Sequence, residues 1–95
     1  MSNAVEQEFT VRAELGLHAR PAGRFAALAS KFESEISVGR AEEWVNGCSV
    51  LSILSLAAAR GTVLRVRAEG ADAVVAVEQL GALIESPEES AASGA

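Results

Sequence analysis

The chain has 95 residues, 49% of them apolar, and a formal net charge of -5 at pH 7; that length supports one hydrophobic core and leaves no room for two. The acidic balance argues against sequence-independent nucleic-acid binding, which needs a basic footprint on the phosphate backbone, and no run approaches the roughly 18 to 20 apolar residues of a membrane span. With Cys48 the single cysteine and His18 the single histidine, an internal disulfide and a structural zinc site both lack ligands, so neither metal nor cofactor is expected. The opening MSNAVEQEF has neither the basic nor the apolar block of a signal peptide, and a reducing cytoplasm is the expected location.

In chain order, EFTVRAEL alternates from Glu8, with Phe9, Val11, Ala13 and Leu15 on one face, which predicts a half-buried strand over 8–15. The period then changes. Ala22, Phe25, Ala26 and Ala29 fall at helical spacing, with Leu28 and Phe32 widening the stripe, and predict a helix from Ala19 to Lys31. Pro21 fits only its first turn, where its missing N–H has no intrahelical partner anyway. SEISVGR and EEWVNG read as two short strands, with Gly39–Glu42 turning between them despite weak turn chemistry. SVLSILSLAAARG predicts a helix with Ser49 as N-cap and Gly61 just past its end. TVLRVRAEG is a strand carrying Leu64, Val66 and Ala68, and ADAVVAVEQLGALIES a helix with Val74, Val77, Leu80, Leu83 and Ile84 on its stripe. Trp44 and Cys48 read as packing residues. The polar run 87–95 is expected to be a disordered tail behind a single domain over 1–86. The order strand, helix, strand, strand, helix, strand, helix predicts an α+β fold, an antiparallel sheet covered on one face by helices.

The segment Gly16-Leu17-His18-Ala19-Arg20-Pro21-Ala22-Gly23 concentrates the chemistry. A helix N-terminus presents unpaired N–H groups and a positive dipole end, so an anion placed there is stabilised. The Arg20 guanidinium adds two charge-assisted donors suited to phosphate. A neutral imidazole beside such donors is a phosphoryl acceptor. On spacing alone, a lone histidine at a helix start is more often a surface residue or an N-cap than a catalytic group, and Arg20 alone is more often a solvated charge than a clamp. A hydrolytic triad has no visible partner for His18.

The same eight residues resemble the active-site signature of the HPr family, the histidine-containing phosphocarriers of the bacterial phosphotransferase system. A second block, Ser49-Val50-Leu51 with Ile53, Leu56 and Ala57, is similar to the family's regulatory-serine motif, and RGTVLRVRAEGADA resembles its last strand and turn. The resemblance covers Glu8 to Ile84 without a gap. It implies an open-faced β-sandwich, four antiparallel strands under three helices, with the histidine capping the first helix. It also implies a monomeric phosphoryl carrier and not an enzyme. His18 would take a phosphoryl group on Nδ1 from enzyme I, originally from phosphoenolpyruvate, and pass it to enzyme IIA for sugar uptake. Arg20 would clamp the phosphate with the N–H groups of Ala19 and Arg20, and Gly23, Val50, Leu51 and Leu54 would form the partner patch. SVLSILSL is more apolar than one buried face needs, which points independently to an exposed patch. Ser49 matches a serine that a dedicated kinase/phosphorylase modifies in some members. The preceding position, usually basic, is Cys48 here, and basic residues are thin along the first helix, where Ala27 and Ser30 stand and Arg24 and Lys31 remain. The alternatives are a regulatory carrier of the nitrogen-related branch and a serine-phosphorylated corepressor module.

Overall fold

The structure is a computed structural model describing residues 4–87. Its centre is β4 (Val63–Glu69), where alternation places Leu64, Val66 and Ala68 inward, all fully buried. Only a central strand can bury every second residue so completely, and β4 is flanked on both sides. Strand β1 (Ala4–Thr10) pairs with it antiparallel, Ala4 opposite Glu69 through Thr10 opposite Val63. On the other side lies β2 (Glu35–Arg40), with Val38 opposite Val66. Strand β3 (Glu43–Asn46) then pairs with β2, giving the order β1-β4-β2-β3. Helices α1 (Ala19–Ala29), α2 (Val50–Ser55) and α3 (Ala73–Ile84) cover one face. The open-faced sandwich expected above is therefore the fold, with its elements in the expected order.

Phe25, Ala22 and Ala29 of α1 are buried with Val77, Leu80 and Ile84 of α3 in the core between helices and sheet. Burying the larger of these, Phe25, Val77, Leu80 and Ile84, contributes about 1.5–3 kcal/mol each. The opposite face of the sheet is open and carries Glu6, Ser37, Arg65 and Arg67.

Several boundaries differ from the sequence reading. The first strand spans Ala4–Thr10 and not 8–15, because its length is set by its partner: β4 begins at Val63, opposite Thr10. Beyond Thr10 the chain leaves the sheet, and a turn closes with Gly16 N–H donating to the Ala13 carbonyl at 2.9 Å. Val11 and Ala13 stay buried, while Leu15 turns outward at 74% exposure. Helix α1 stops two residues before Lys31, where the Ser30 hydroxyl and N–H both turn back onto the Ala26 carbonyl. In α3 the buried side is Ala73, Ala76, Val77, Leu80, Gly81 and Ile84, and Val74 is 56% exposed. Small residues win that face because the helix lies close to the sheet, with Gly81 against the Phe9 ring.

The second helix ends at Ser55, well before Gly61. Its continuation is lost because the carbonyls that would extend the helix take tertiary donors: Arg40 binds those of Leu56 and Ala57, and Leu17 N–H binds that of Ala58. Ala57 turns left-handed at φ +50°, a conformation that costs a non-glycine residue about 1 kcal/mol.

Gly39 lies inside β2, and Ala41 and Glu42 make the turn, with Ala41 at φ +55°. The glycine serves packing instead. It pairs with Trp44, whose indole lies so close that a β-carbon on residue 39 would sit 2.8 Å from it. Trp44 thus packs on the open face at 38% exposure, with the Arg65 guanidinium 4.6 Å from the ring centroid. Cys48 is exposed, not packed, because its N–H is held by the Asn46 side chain in the turn before α2. The tail expected over 87–95 falls, beyond Pro87, outside the described residues.

Asp72, the residue before α3, ties the sheet's far end to the α1–β2 connection. Its carboxylate accepts from the Ser34 hydroxyl at 2.5 Å, the Ser34 N–H at 3.0 Å and the Glu33 N–H at 2.9 Å. These donors, the Ser34 hydroxyl foremost, hold its pKa below the ordinary 3.8. A pKa depressed by folding gives stability that is present above the unfolded value and lost as pH falls through the folded one. Asp72→Asn should therefore be less stable than the wild type at neutral pH, with the difference shrinking on acidification below 3.8. Urea unfolding across pH 2.5–7 (~0.5-unit steps) checks this, and a pH-independent difference would contradict it.

Candidate functional site

The turn that ends β1 delivers His18 to the start of α1. Gly16 makes that delivery possible: it sits at φ +74°, and a β-carbon there would lie 2.6 Å from the Ala58 carbonyl oxygen. The close approach lets Leu17 N–H donate to the same carbonyl at 2.9 Å. Leu17 is buried, and the next residue emerges at the rim.

His18 is the N-cap of α1, with extended backbone angles of φ -81° and ψ -166°. Its carbonyl takes the Ala22 N–H at 2.9 Å, closing the first helical turn. Its ring makes no capping bond to the helix. Pro21 has no N–H, and Ala22 N–H is spent on His18. The first-turn donors left without an intrahelical partner are thus the N–H groups of Ala19 and Arg20. The first turn carries no acidic side chain to offset the dipole. Arg20 is exposed two residues from the imidazole, and Arg24 lies one turn further along.

Beside the ring is a shallow depression lined by Leu15, Leu17, His18, Leu54 and the Ala57–Ala59 segment. Around it, Leu51 is 80% exposed, and Gly23, Val50 and Leu54 are half-buried. The structure thus brings Leu54 to the His18 depression and leaves Leu51 projecting from α2. The β-carbon position of Gly23 faces open space, so a larger residue there would meet no obstacle from this chain. Two contributors were missed by sequence reasoning. Leu15 counted as an inward strand residue, and 57–59 as helix. The glycine directly after Leu15 was the available signal for a turn; nothing local marks 57–59.

Ser49 caps α2, its hydroxyl accepting the Ser52 N–H at 3.2 Å, as expected. Among the described residues, no three histidine, cysteine or acidic side chains converge as a metal site, and no helix is long and apolar enough to cross a membrane.

An imidazole, an arginine and two helix-terminal N–H groups beside an apolar rim form a place where an anion can be carried on a nitrogen and presented to another surface. The family model described as the PTS HPr component phosphorylation site matches residues 5–86. The chain belongs to the HPr family. HPr proteins are phosphocarriers of the phosphotransferase system and not catalytic enzymes. Among similar relatives, the phosphocarrier protein HPr of Neisseria meningitidis serogroup A is 40% identical over 80 residues, covering 84% of this chain and 90% of its own. The phosphocarrier protein NPr of Shewanella violacea is 35% identical over 82 residues, 86% of this chain and 90% of its own. The crystal structure of HPr from Thermoanaerobacter tengcongensis superposes with a TM-score of 0.84 at 41% identity, covering 90% of this chain and 98% of that one.

Proposed function

We propose that this HPr-family chain receives a phosphoryl group from enzyme I, originally from phosphoenolpyruvate, on His18 Nδ1, and passes it to an enzyme IIA for sugar uptake. The observation that carries the reading is the placement of the single imidazole: at the N-cap of α1, beside Arg20, on the rim of an exposed apolar depression. In the transfer, the nitrogen lone pair forms the N–P bond as the donor's bond to phosphorus breaks, and the donor leaves with that electron pair. Arg20 and the Ala19 and Arg20 N–H groups take up the charge on the phosphoryl oxygens.

The apolar rim supplies docking. Val50, Leu51 and Leu54, with Gly23 and the additional Leu15, form a small surface that suits brief contact with successive partners. The similarity to an NPr supports a second reading, a regulatory carrier of the nitrogen-related branch; it keeps the same acceptor and changes only the IIA protein that follows. At Ser49 the structure shows only the cap, which accounts for its hydroxyl.

The test is incubation with phosphoenolpyruvate and a bacterial enzyme I, followed by intact mass before and after acid. One phosphoryl group that survives base and is lost in acid is expected of a phosphohistidine; an acid-stable one would overturn the assignment. Offering the charged protein to sugar-specific and nitrogen-branch IIA proteins side by side separates the two readings. Arg20→Ala should lower the efficiency of transfer from enzyme I by about 100-fold, the scale seen when one donor to a developing charge is removed. Steady-state transfer kinetics check it, and an unchanged kcat/KM would remove Arg20 from the cradle.

A further inference from the structure

Arg40, at the end of β2, is distant in sequence from the site and belongs to none of the family blocks recognised in the sequence. Its guanidinium Nη1 nevertheless donates to the Leu56 carbonyl at 2.8 Å and reaches that of Ala57 at 3.4 Å. These two carbonyls close α2 and open the segment that walls the His18 depression. The segment has reason to move without such an anchor. Ala57 is a non-glycine residue held at φ +50°, and α2 has run only from Val50 to Ser55 before it. One residue further on, the Ala58 carbonyl accepts the N–H of Leu17, the residue that precedes His18. A continuous path of hydrogen bonds and one strained residue therefore runs from Arg40 to the backbone that presents the imidazole.

We infer that Arg40 is a positioning residue for phosphoryl transfer: by clamping the carbonyls of Leu56 and Ala57 it fixes the 57–59 wall, and through the Leu17–Ala58 hydrogen bond it sets His18 against its partners. The inference rests on the carrier reading for its consequence, though not for its geometry. Arg40 itself does not line the depression, so its action is through the wall. A positive C-terminal partner for α2 is also electrostatically favourable, and α2 carries no basic residue of its own in its last turn.

The test uses the full chain and two readouts. Amide hydrogen exchange is followed at Leu17, whose N–H reports the wall directly, and at Val66 in the central strand, which reports global opening. Transfer from enzyme I is followed as KM and kcat for this protein. Arg40→Met keeps the aliphatic stem and removes the donors; Arg40→Lys keeps a charge and a single donor group. In Arg40→Met, exchange at Leu17 should rise about tenfold relative to Val66, the effect of losing a charge-assisted hydrogen bond, and KM should rise severalfold. Arg40→Lys should fall between in both. Unchanged exchange at Leu17 relative to Val66 would overturn the clamp. Faster exchange with wild-type KM and kcat would overturn the role in transfer. If KM recovered fully in Arg40→Lys while Leu17 exchange did not, charge attraction and not positioning would be the cause. Failure of the wild-type chain to accept a phosphoryl group would instead sink the carrier reading, leaving the exchange result to stand on its own.

Discussion

His18→Ala is expected to take up no phosphoryl group from enzyme I while remaining folded. The chain contains no second histidine, so the nitrogen acceptor has no substitute, and the loss should be complete rather than graded. The fold should hardly notice. The backbone hydrogen bond that closes the first turn comes from the His18 carbonyl, which alanine retains. A stability change within about 1 kcal/mol follows, the scale of an N-cap substitution. Intact mass after incubation with phosphoenolpyruvate and enzyme I, paired with a urea unfolding curve, checks both halves. An acid-labile phosphoryl group on the variant would place the acceptor elsewhere. Unfolding of the variant would show that the imidazole holds the structure.

The largest expected effect on stability lies two turns along the same helix. Phe25→Ala should destabilise the protein by about 3–5 kcal/mol, the range for deleting a buried aromatic ring and leaving a cavity. Phe25 is fully buried, in the core it shares with Val77, Leu80 and Ile84. Against a total stability of about 5–15 kcal/mol for a domain of ordinary stability, this is a large share, and the midpoint of thermal unfolding should fall by roughly 15 °C or more. Phe25→Leu keeps most of the volume and should cost far less. The fraction of Phe25→Ala that stays folded should still accept the phosphoryl group, because the ring is in the core and His18 at the helix start. A loss below about 1 kcal/mol would mean that the site collapses onto the vacancy or that α1 is not seated as described.

The open face of the sheet shows how a local signal was present yet pointed to the wrong use. Gly39 beside a polar run suggested a turn, but the turn is built by Ala41 at positive φ, and the glycine makes room for the Trp44 indole across the strand pair. Cross-strand pairing is decided by register, which single-residue preferences do not encode.

By itself the sequence determined the element order and the fold class, and it gathers the candidate centre into one segment. Hydrophobic periods of two and of 3.6 residues identify strands and helices because burial must match the geometry of each, and the Gly16–Gly23 segment carries its histidine, arginine and proline contiguously, so one stretch of chain holds the site's charge and its helix start. Tertiary structure decided the rest. Leu15 reads as one more inward residue until β4 fails to extend past Val63, and it then turns out onto the rim. The 57–59 segment reads as helix until Arg40 takes the Ala57 carbonyl and Leu17 that of Ala58. Val74 reads as core until the short distance between α3 and the sheet selects Ala73, Ala76 and Gly81 instead. In each case a backbone or a side chain far away in sequence supplied the partner, and the free energy of that contact exceeded the small local preference that periodicity measures.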